Sequence, residues 1–103
     1  MEIIHGSEDN FDNLINNGIV LVDFYADWCG PCRMLATQLE ALTNERNEGK
    51  IVKINVDEAQ ELAKKYGIMS IPALMLFKDG KLIDNKLGYM PKELITNWLE
   101  ENK

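Results

Sequence analysis

Cysteine and histidine are scarce in this sequence: Cys29, Cys32 and His5 are the only three such residues among 103. A structural zinc site needs about four nitrogen or sulfur ligands, so a single chain does not supply them. Covalent haem attachment requires a histidine directly after the second cysteine, and Arg33 occupies that position. Glycine-rich phosphate and dinucleotide motifs are absent. The sequence therefore predicts neither a metal site nor a bound cofactor.

Basic residues and long apolar runs are also few. Lys and Arg number 11 against 17 Asp and Glu, which argues against nucleic acid as the main partner because phosphate binding needs clustered cations. No apolar run approaches the roughly 20 residues of a membrane helix. Residues 1–5 lack the basic and apolar regions of a signal peptide. We therefore expect a cytoplasmic protein that contacts no membrane, and a single domain over residues 1–103, since no linker or repeat is present.

Helix and strand signals alternate along the chain. Apolar, β-branched runs predict five strands, at residues 2–5, 19–26, 51–56, 73–77 and 82–87. Asp79-Gly80 between the last two runs is a strong hairpin signal. Parallel crossovers followed by a hairpin predict an α/β fold, in which a mixed sheet carries helices on both faces.

Four helices are predicted between and after these strands. Ser7 is expected to cap the first, Pro31 to open the second, Asp57 with Gln60 to cap the third, and Pro91 to open the fourth. Apolar spacing predicts the residues of each helix that face the sheet: Phe11, Leu14 and Ile15; Leu35, Leu39 and Leu42; Ala59, Leu62, Ala63 and Tyr66; Leu94, Ile95, Trp98 and Leu99.

The pair Cys29-x-x-Cys32 opens the second predicted helix, which places the two sulfur atoms one turn apart and within bridging distance. Cys29 lies at the helix N-terminus, where unpaired N–H groups and the helix dipole stabilise a thiolate, the form that attacks disulfides. We expect its sulfur to be exposed, and Cys32 to be shielded and to resolve the mixed disulfide. Pro31 stiffens the helix start. Two structural cysteines, or a metal or cluster site shared between two chains, are the alternatives.

Asp23 interrupts the apolar second strand. A carboxylate buried there without a partner is costly, and its pKa should rise. The alternative is an aspartate at the strand end that faces solvent.

Residues 23–32, Asp-Phe-Tyr-Ala-Asp-Trp-Cys-Gly-Pro-Cys, resemble the active-site segment of the thioredoxin family. The segments 53–57, 66–72, 77–80 and 87–88 follow in the family's order and approximate spacing, so the resemblance spans the whole chain. It implies the thioredoxin fold, a central mixed five-stranded sheet of order 1-3-2-4-5 flanked by four helices. The Gly30-Pro31 pair indicates a reductant, because glutaredoxins and disulfide isomerases usually carry other residues there.

The resemblance also implies roles for individual residues. Asp23 would lie beneath the cysteines and help to deprotonate Cys32, with Lys53 close to it, although Lys53 could equally be a strand lysine whose charge reaches solvent. The implied apolar substrate groove consists of Trp28, Gly30, Pro31, Ile71, Pro72 and Gly88, and the Ile71-Pro72 peptide bond would be cis. Four positions depart from the family pattern and leave partner preference and redox potential open: Tyr25, Thr37, Ala73 and Tyr89.

The function implied by the resemblance is general protein-disulfide reduction by a monomeric electron carrier. Cys29 and Cys32 would cycle between dithiol and disulfide, with a thioredoxin reductase as electron donor and oxidised proteins such as reductases and peroxiredoxins as targets. The alternative is a binding module that acts as a subunit or regulator of another protein. Relatives of that kind often lack one cysteine, whereas this chain has both.

Overall fold

The computed structural model describes residues 1–103 and is built on a five-stranded sheet of order β1-β3-β2-β4-β5, as the resemblance implied. The elements follow the chain as β1 Glu2–His5, α1 Phe11–Leu14, β2 Ile19–Tyr25, α2 Gly30–Glu45, β3 Lys50–Asn55, α3 Gln60–Lys65, β4 Ala73–Lys78, β5 Lys81–Leu87 and α4 Lys92–Glu101. Each predicted strand is confirmed to within one residue at its ends.

The central strand β2 is parallel to β3 on one side and antiparallel to β4 on the other. β1 extends the sheet in parallel beside β3, and β5 pairs antiparallel with β4. Asp79 and Gly80 have φ angles of 49° and 86° in the β4–β5 turn, which is the left-handed backbone that a two-residue hairpin loop requires. The predicted mixed sheet and its closing hairpin are therefore confirmed.

Side chains alternate between the two faces of β2 and divide the core into two clusters. Val20, Val22 and Phe24 pack with residues of α1 and α3, including Phe11 and Leu62. On the opposite face, the second cluster joins the sheet to α2 and α4 and contains Leu21, Leu35, Leu39, Leu42, Ile51, Leu74, Leu76, Ile95, Trp98 and Leu99. Asp23 is two residues from Leu21 in β2, so its side chain lies on the same face of the sheet, the face covered by α2.

Two of the predicted helix starts are wrong. The first helix is a single turn that begins at Phe11, and Ser7 does not cap it. Instead, the Ser7 N–H and hydroxyl both donate to the Asn10 side-chain oxygen, at 2.7 and 3.2 Å. Such local side-chain bonds compete with helix formation, so the helix begins later than predicted.

The capping pair predicted for α3 does not form either. The Asp57 carboxylate makes no capping bond to α3, which has Ala59 in the cap position. Glu8 accepts a hydrogen bond from the Glu61 N–H at 2.9 Å instead. A side chain 53 residues away thus satisfies one N–H of the first turn of α3.

The predicted inner face of α4 is correct except at Leu94. Ile95, Trp98 and Leu99 are buried, whereas Leu94 is 53% exposed. Trp98 and Leu99 follow Ile95 by three and four residues and so share its face of the helix. Leu94 lies at the edge of this apolar face. No helix in the structure combines the length and apolar character needed to cross a membrane.

Candidate active site

The two cysteines form a disulfide at the start of α2, with their Cα atoms 5.2 Å apart. Cys29 has extended backbone angles and is the N-cap residue of the helix, with Pro31 in the first turn. Its Sγ accepts a hydrogen bond from the Cys32 N–H at 3.2 Å. The sulfur of Cys29 therefore occupies the position where a helix N-terminus best stabilises negative charge.

Both cysteines are largely covered in this disulfide form. Cys29 exposes 5% of its surface and Cys32 exposes 2%. The expectation of an exposed Cys29 sulfur is therefore wrong for this state, because both residues pack in a small cluster with Ala26 and the neighbouring Ile71.

The segment Ile71-Pro72 lies against the disulfide. Its peptide bond is cis, which confirms what the resemblance implied, and the Ile71 carbonyl oxygen is 3.8 Å from Cys29 Sγ. The Gly88 N–H donates to the Pro72 carbonyl oxygen at 2.8 Å. Gly88 has a φ of 86°, a backbone conformation that L-residues with side chains rarely adopt. The structure thus brings three distant segments together: the start of α2, residues 71–72 and the end of β5.

Trp28 is the most exposed aromatic side chain beside the disulfide, with 70% of its surface open. Its indole Nε1 donates to Asp57 Oδ2 at 3.0 Å. Sequence reasoning assigned Asp57 to a helix cap and did not connect it with Trp28. The available signal was topological: β2 and β3 are parallel neighbours, so the residues that follow their carboxyl ends meet at one edge of the sheet.

Asp23 is fully buried in the centre of the sheet, which excludes the solvent-facing alternative. Neither of its carboxylate oxygens has a hydrogen-bond partner. Burial raises the pKa of Asp23 from its ordinary value of 3.8 to about 6, and the positive charge of Lys53 partly opposes that rise. The predicted direction of the pKa change is therefore confirmed, and loss of hydration is its main cause.

Lys53 pairs with Asp23 across the parallel strands β2 and β3. Its Nζ lies 3.8 Å from Asp23 Oδ2, and only 12% of its side-chain surface is exposed. The ammonium of Lys53 therefore lies close to Asp23, as the resemblance implied, and at the edge of the cavity beside Cys32. The ammonium also lies 4.6 Å from the centroid of the Tyr25 ring.

A cavity of about 290 Å³ opens beside Cys32, and Lys53, Tyr25 and His5 contribute to its walls. Lys53, one member of the pair with Asp23, therefore borders the same cavity as the inner cysteine. No group of three or more His, Cys, Asp and Glu side chains is arranged to hold a metal ion. A disulfide at the N-terminus of a helix that directly follows the central strand, with a cis-proline segment against its outer sulfur, defines a thiol–disulfide oxidoreductase site.

Comparisons with known proteins agree with this class. The thioredoxin family model matches residues 2–101. A thioredoxin of Bacillus subtilis is 48% identical over 96 residues, which is 92% of this chain and 92% of the relative. A thioredoxin of Staphylococcus saprophyticus is 43% identical over 103 residues, 99% of each chain. The solved structure of a mutant thioredoxin from Halobacterium salinarum superposes with a TM-score of 0.90 at 37% identity, covering 97% of this chain and 89% of that one.

The chain belongs to the thioredoxin family. Its Cys29–Cys32 pair is a redox-active disulfide, and the protein is a protein-disulfide reductase. Family membership implies a thioredoxin reductase as electron donor and disulfide-bonded proteins as substrates.

Proposed function

We propose that Cys29 is the attacking cysteine and Cys32 the resolving cysteine of a general protein-disulfide reductase. The observation that carries this assignment is the N-cap position of Cys29, whose Sγ already accepts the Cys32 N–H at 3.2 Å in the disulfide form. The same N–H would stabilise a Cys29 thiolate after reduction. Cys32 lies one turn inside the helix and is the more buried of the two.

The reaction transfers two electrons from the dithiol to a target disulfide. The Cys29 thiolate attacks one target sulfur, forming a mixed disulfide and releasing the other target sulfur as a thiolate, which takes a proton. Cys32 then loses its proton and attacks the Cys29 sulfur. The mixed disulfide breaks, the Cys29–Cys32 disulfide forms, and the target leaves as a dithiol.

Asp23 is proposed as the group that accepts the Cys32 proton before the second attack. Its side chain lies on the α2 face of the sheet, and its raised pKa of about 6 lets it exchange protons near neutral pH. Lys53, 3.8 Å away, would limit the cost of the charged carboxylate.

The target segment is proposed to bind in the groove around Cys29. Trp28 provides an exposed apolar wall, Gly30 and Pro31 leave the helix start free of large side chains, and Gly88 closes the opposite side through its bond to Pro72. The backbone groups of Ile71 lie beside the sulfur and can form hydrogen bonds with an extended peptide. Binding through the backbone depends little on the side chains of that peptide. This arrangement suits many different target proteins.

We further propose that residues 1–103 act as one monomeric domain in the cytoplasm. The continuous sheet, with a core on each face, supports a single domain. Oxidised reductases and peroxiredoxins are the expected targets, because their catalytic cycles generate disulfides that require an external dithiol.

Two cysteine variants test the proposed roles. Cys29→Ser should abolish the acceleration of insulin-disulfide reduction by dithiothreitol, whereas Cys32→Ser should still attack and stall as a mixed disulfide that is visible on a non-reducing gel. Brief iodoacetamide treatment of the reduced protein, followed by peptide mapping, should label Cys29 before Cys32. Preferential labelling of Cys32, or a trapped complex with Cys29→Ser only, would reverse the assignment.

The insulin assay also separates this function from that of a binding module. A chain that acted only as a subunit or regulator would not accelerate insulin reduction above the rate of dithiothreitol alone. The wild-type chain should accelerate it, and the Cys29→Ser variant provides the matched control.

A further inference from the structure

The ring of Tyr25 has no part in the sulfur chemistry, yet it lies where the charged pair meets the cavity beside Cys32. Asp23 and Tyr25 are two residues apart in β2 and so project from the same face of the sheet. Lys53 is the neighbour of Asp23 in β3. Its Nζ lies 3.8 Å from Asp23 Oδ2 and 4.6 Å from the Tyr25 ring centroid.

Asp23 attracts the Lys53 ammonium by charge but makes no hydrogen bond to it. At 3.8 Å the ammonium is beyond hydrogen-bonding distance of Asp23, and both Asp23 oxygens lack hydrogen-bond partners. An aromatic face within about 6 Å attracts an ammonium ion and does so more strongly where water is excluded. The Tyr25 ring therefore supplies a second attraction that holds Nζ beside the carboxylate.

We propose that Tyr25 is a positioning residue for the proton-transfer step, because its ring face holds the Lys53 ammonium beside Asp23. The inference rests on the proposed role of Asp23 and extends it to a residue at which this chain departs from the family pattern. The phenol remains uncharged near neutral pH, since burial and then the neighbouring carboxylates raise the pKa of Tyr25 above its ordinary value of 10.0. The ring is thus available as a neutral face throughout the working range.

Other ionisable groups border this region and have to be considered. They come from β1, the segment after β2, α2 and the segment after β3: His5, Asp27, Cys32, Arg33 and Glu58. The positive charge of Lys53 nevertheless opposes the effect of burial on the pKa of Asp23. Displacement of Lys53 should therefore act directly on Asp23.

The test follows the titration of Asp23 in the oxidised protein, where the cysteines carry no titratable proton. The carboxyl carbon of Asp23 is observed by NMR as a function of pH in the wild type, Tyr25→Leu and Tyr25→Phe. Tyr25→Leu removes the ring face and should raise the midpoint by about 0.5 pH unit. Tyr25→Phe keeps the face and should retain the wild-type midpoint. Equal midpoints in Tyr25→Leu and the wild type, or equal shifts in both variants, would overturn the proposal.

A double-mutant cycle distinguishes positioning of Lys53 from a general packing effect. In a Lys53→Met background the ammonium is absent, so Tyr25→Leu should no longer move the Asp23 midpoint. An undiminished shift in that background would show that Tyr25 acts by packing and would overturn the proposal.

The pH dependence of insulin reduction connects this result with catalysis. The pH profile should move with the Asp23 midpoint in Tyr25→Leu. If the NMR midpoint shifts as expected and the activity profile does not, the proposed role of Asp23 in proton transfer is wrong while the contact between Tyr25 and Lys53 stands. If the activity profile moves without the NMR midpoint, the positioning role of Tyr25 is wrong.

Discussion

Replacement of Asp23 by asparagine removes a buried carboxylate that has no hydrogen-bond partner. In the folded chain its pKa is about 6, against an ordinary value of 3.8. Below the lower value the residue is protonated in both states and contributes nothing to the pH dependence of stability. As the pH rises from 3.8 to 6, the unfolded chain releases the proton first, so unfolding becomes more favourable. Once the pH exceeds both values, this difference between the folded and unfolded pKa corresponds to about 3 kcal/mol of destabilisation of the folded chain.

Asp23→Asn should therefore be more stable than the wild type near neutral pH, by an amount that grows between pH 4 and about 6.5 and then levels off. Urea unfolding of both oxidised proteins, at steps of half a pH unit, gives this difference in the free energy of unfolding directly. The asparagine amide is also buried without hydrogen-bond partners, but the free-energy cost of burying it does not vary with pH. That cost therefore changes the stability difference between the two proteins by the same amount at every pH. Asp9→Asn, at an exposed position, controls for the loss of one negative charge. A gap that stays constant within about 0.5 kcal/mol from pH 4 to 8 would refute the reasoning, because it would mean that folding does not change the pKa of Asp23.

Three further predictions concern the parts of the fold that position the site. Ile95→Ala should lower the free energy of unfolding by about 2–5 kcal/mol, because Ile95 is fully buried. Leu94→Ala, at a position that is 53% exposed, should change it by less than about 0.5 kcal/mol, and urea titrations of the two variants measure both values. Gly80→Ala should cost about 1 kcal/mol in the same assay, since Gly80 has a φ of 86° in the hairpin turn and the space around its Cβ position is empty. Asp57→Ala removes the acceptor that the Trp28 indole N–H binds at 3.0 Å and should therefore alter the fluorescence of Trp28. The loss of stability from this exposed bond should be no more than about 1 kcal/mol, and an unchanged spectrum would contradict the contact.

The chemistry of the site was readable from the sequence because its signals are local. Cys29 and Cys32 are one turn apart, Pro31 marks the helix start between them, and the preceding strand is recognisable by its β-branched run. Asp23 could be identified for the opposite reason, since a lone carboxylate in such a strand conflicts with the apolar pattern around it. The strand order, by contrast, came from the resemblance to a family, because the residues alone predicted only a mixed sheet with helices on both faces.

The two incorrect helix starts involve side chains whose partners come from elsewhere in the chain or from a competing local turn. Asp57 has the spacing of a capping residue, yet it binds the indole of Trp28, and Glu8 supplies an acceptor at the start of α3. Ser7 also has the sequence position of a capping residue, but its N–H and its hydroxyl donate to the side-chain oxygen of Asn10. Sequence periodicity places residues on faces of helices and strands, but it does not choose among several acceptors that tertiary structure brings within reach.

The position of the buried carboxylate explains why a destabilising residue can be accommodated at the centre of this sheet. Asp23 lies on the α2 face two residues from Leu21, which belongs to a ten-residue apolar cluster, and its partner Lys53 borders the cavity beside Cys32. The cluster provides the stability that offsets a cost of about 3 kcal/mol at neutral pH. A carboxylate two positions earlier in β2, at Leu21, would lie within that cluster and opposite Ile51 instead of Lys53, and one at an exposed position would be hydrated and keep an ordinary pKa. The position of Asp23, between the apolar cluster and the Lys53 ammonium, therefore combines desolvation of the carboxylate with a nearby cation that moderates its pKa.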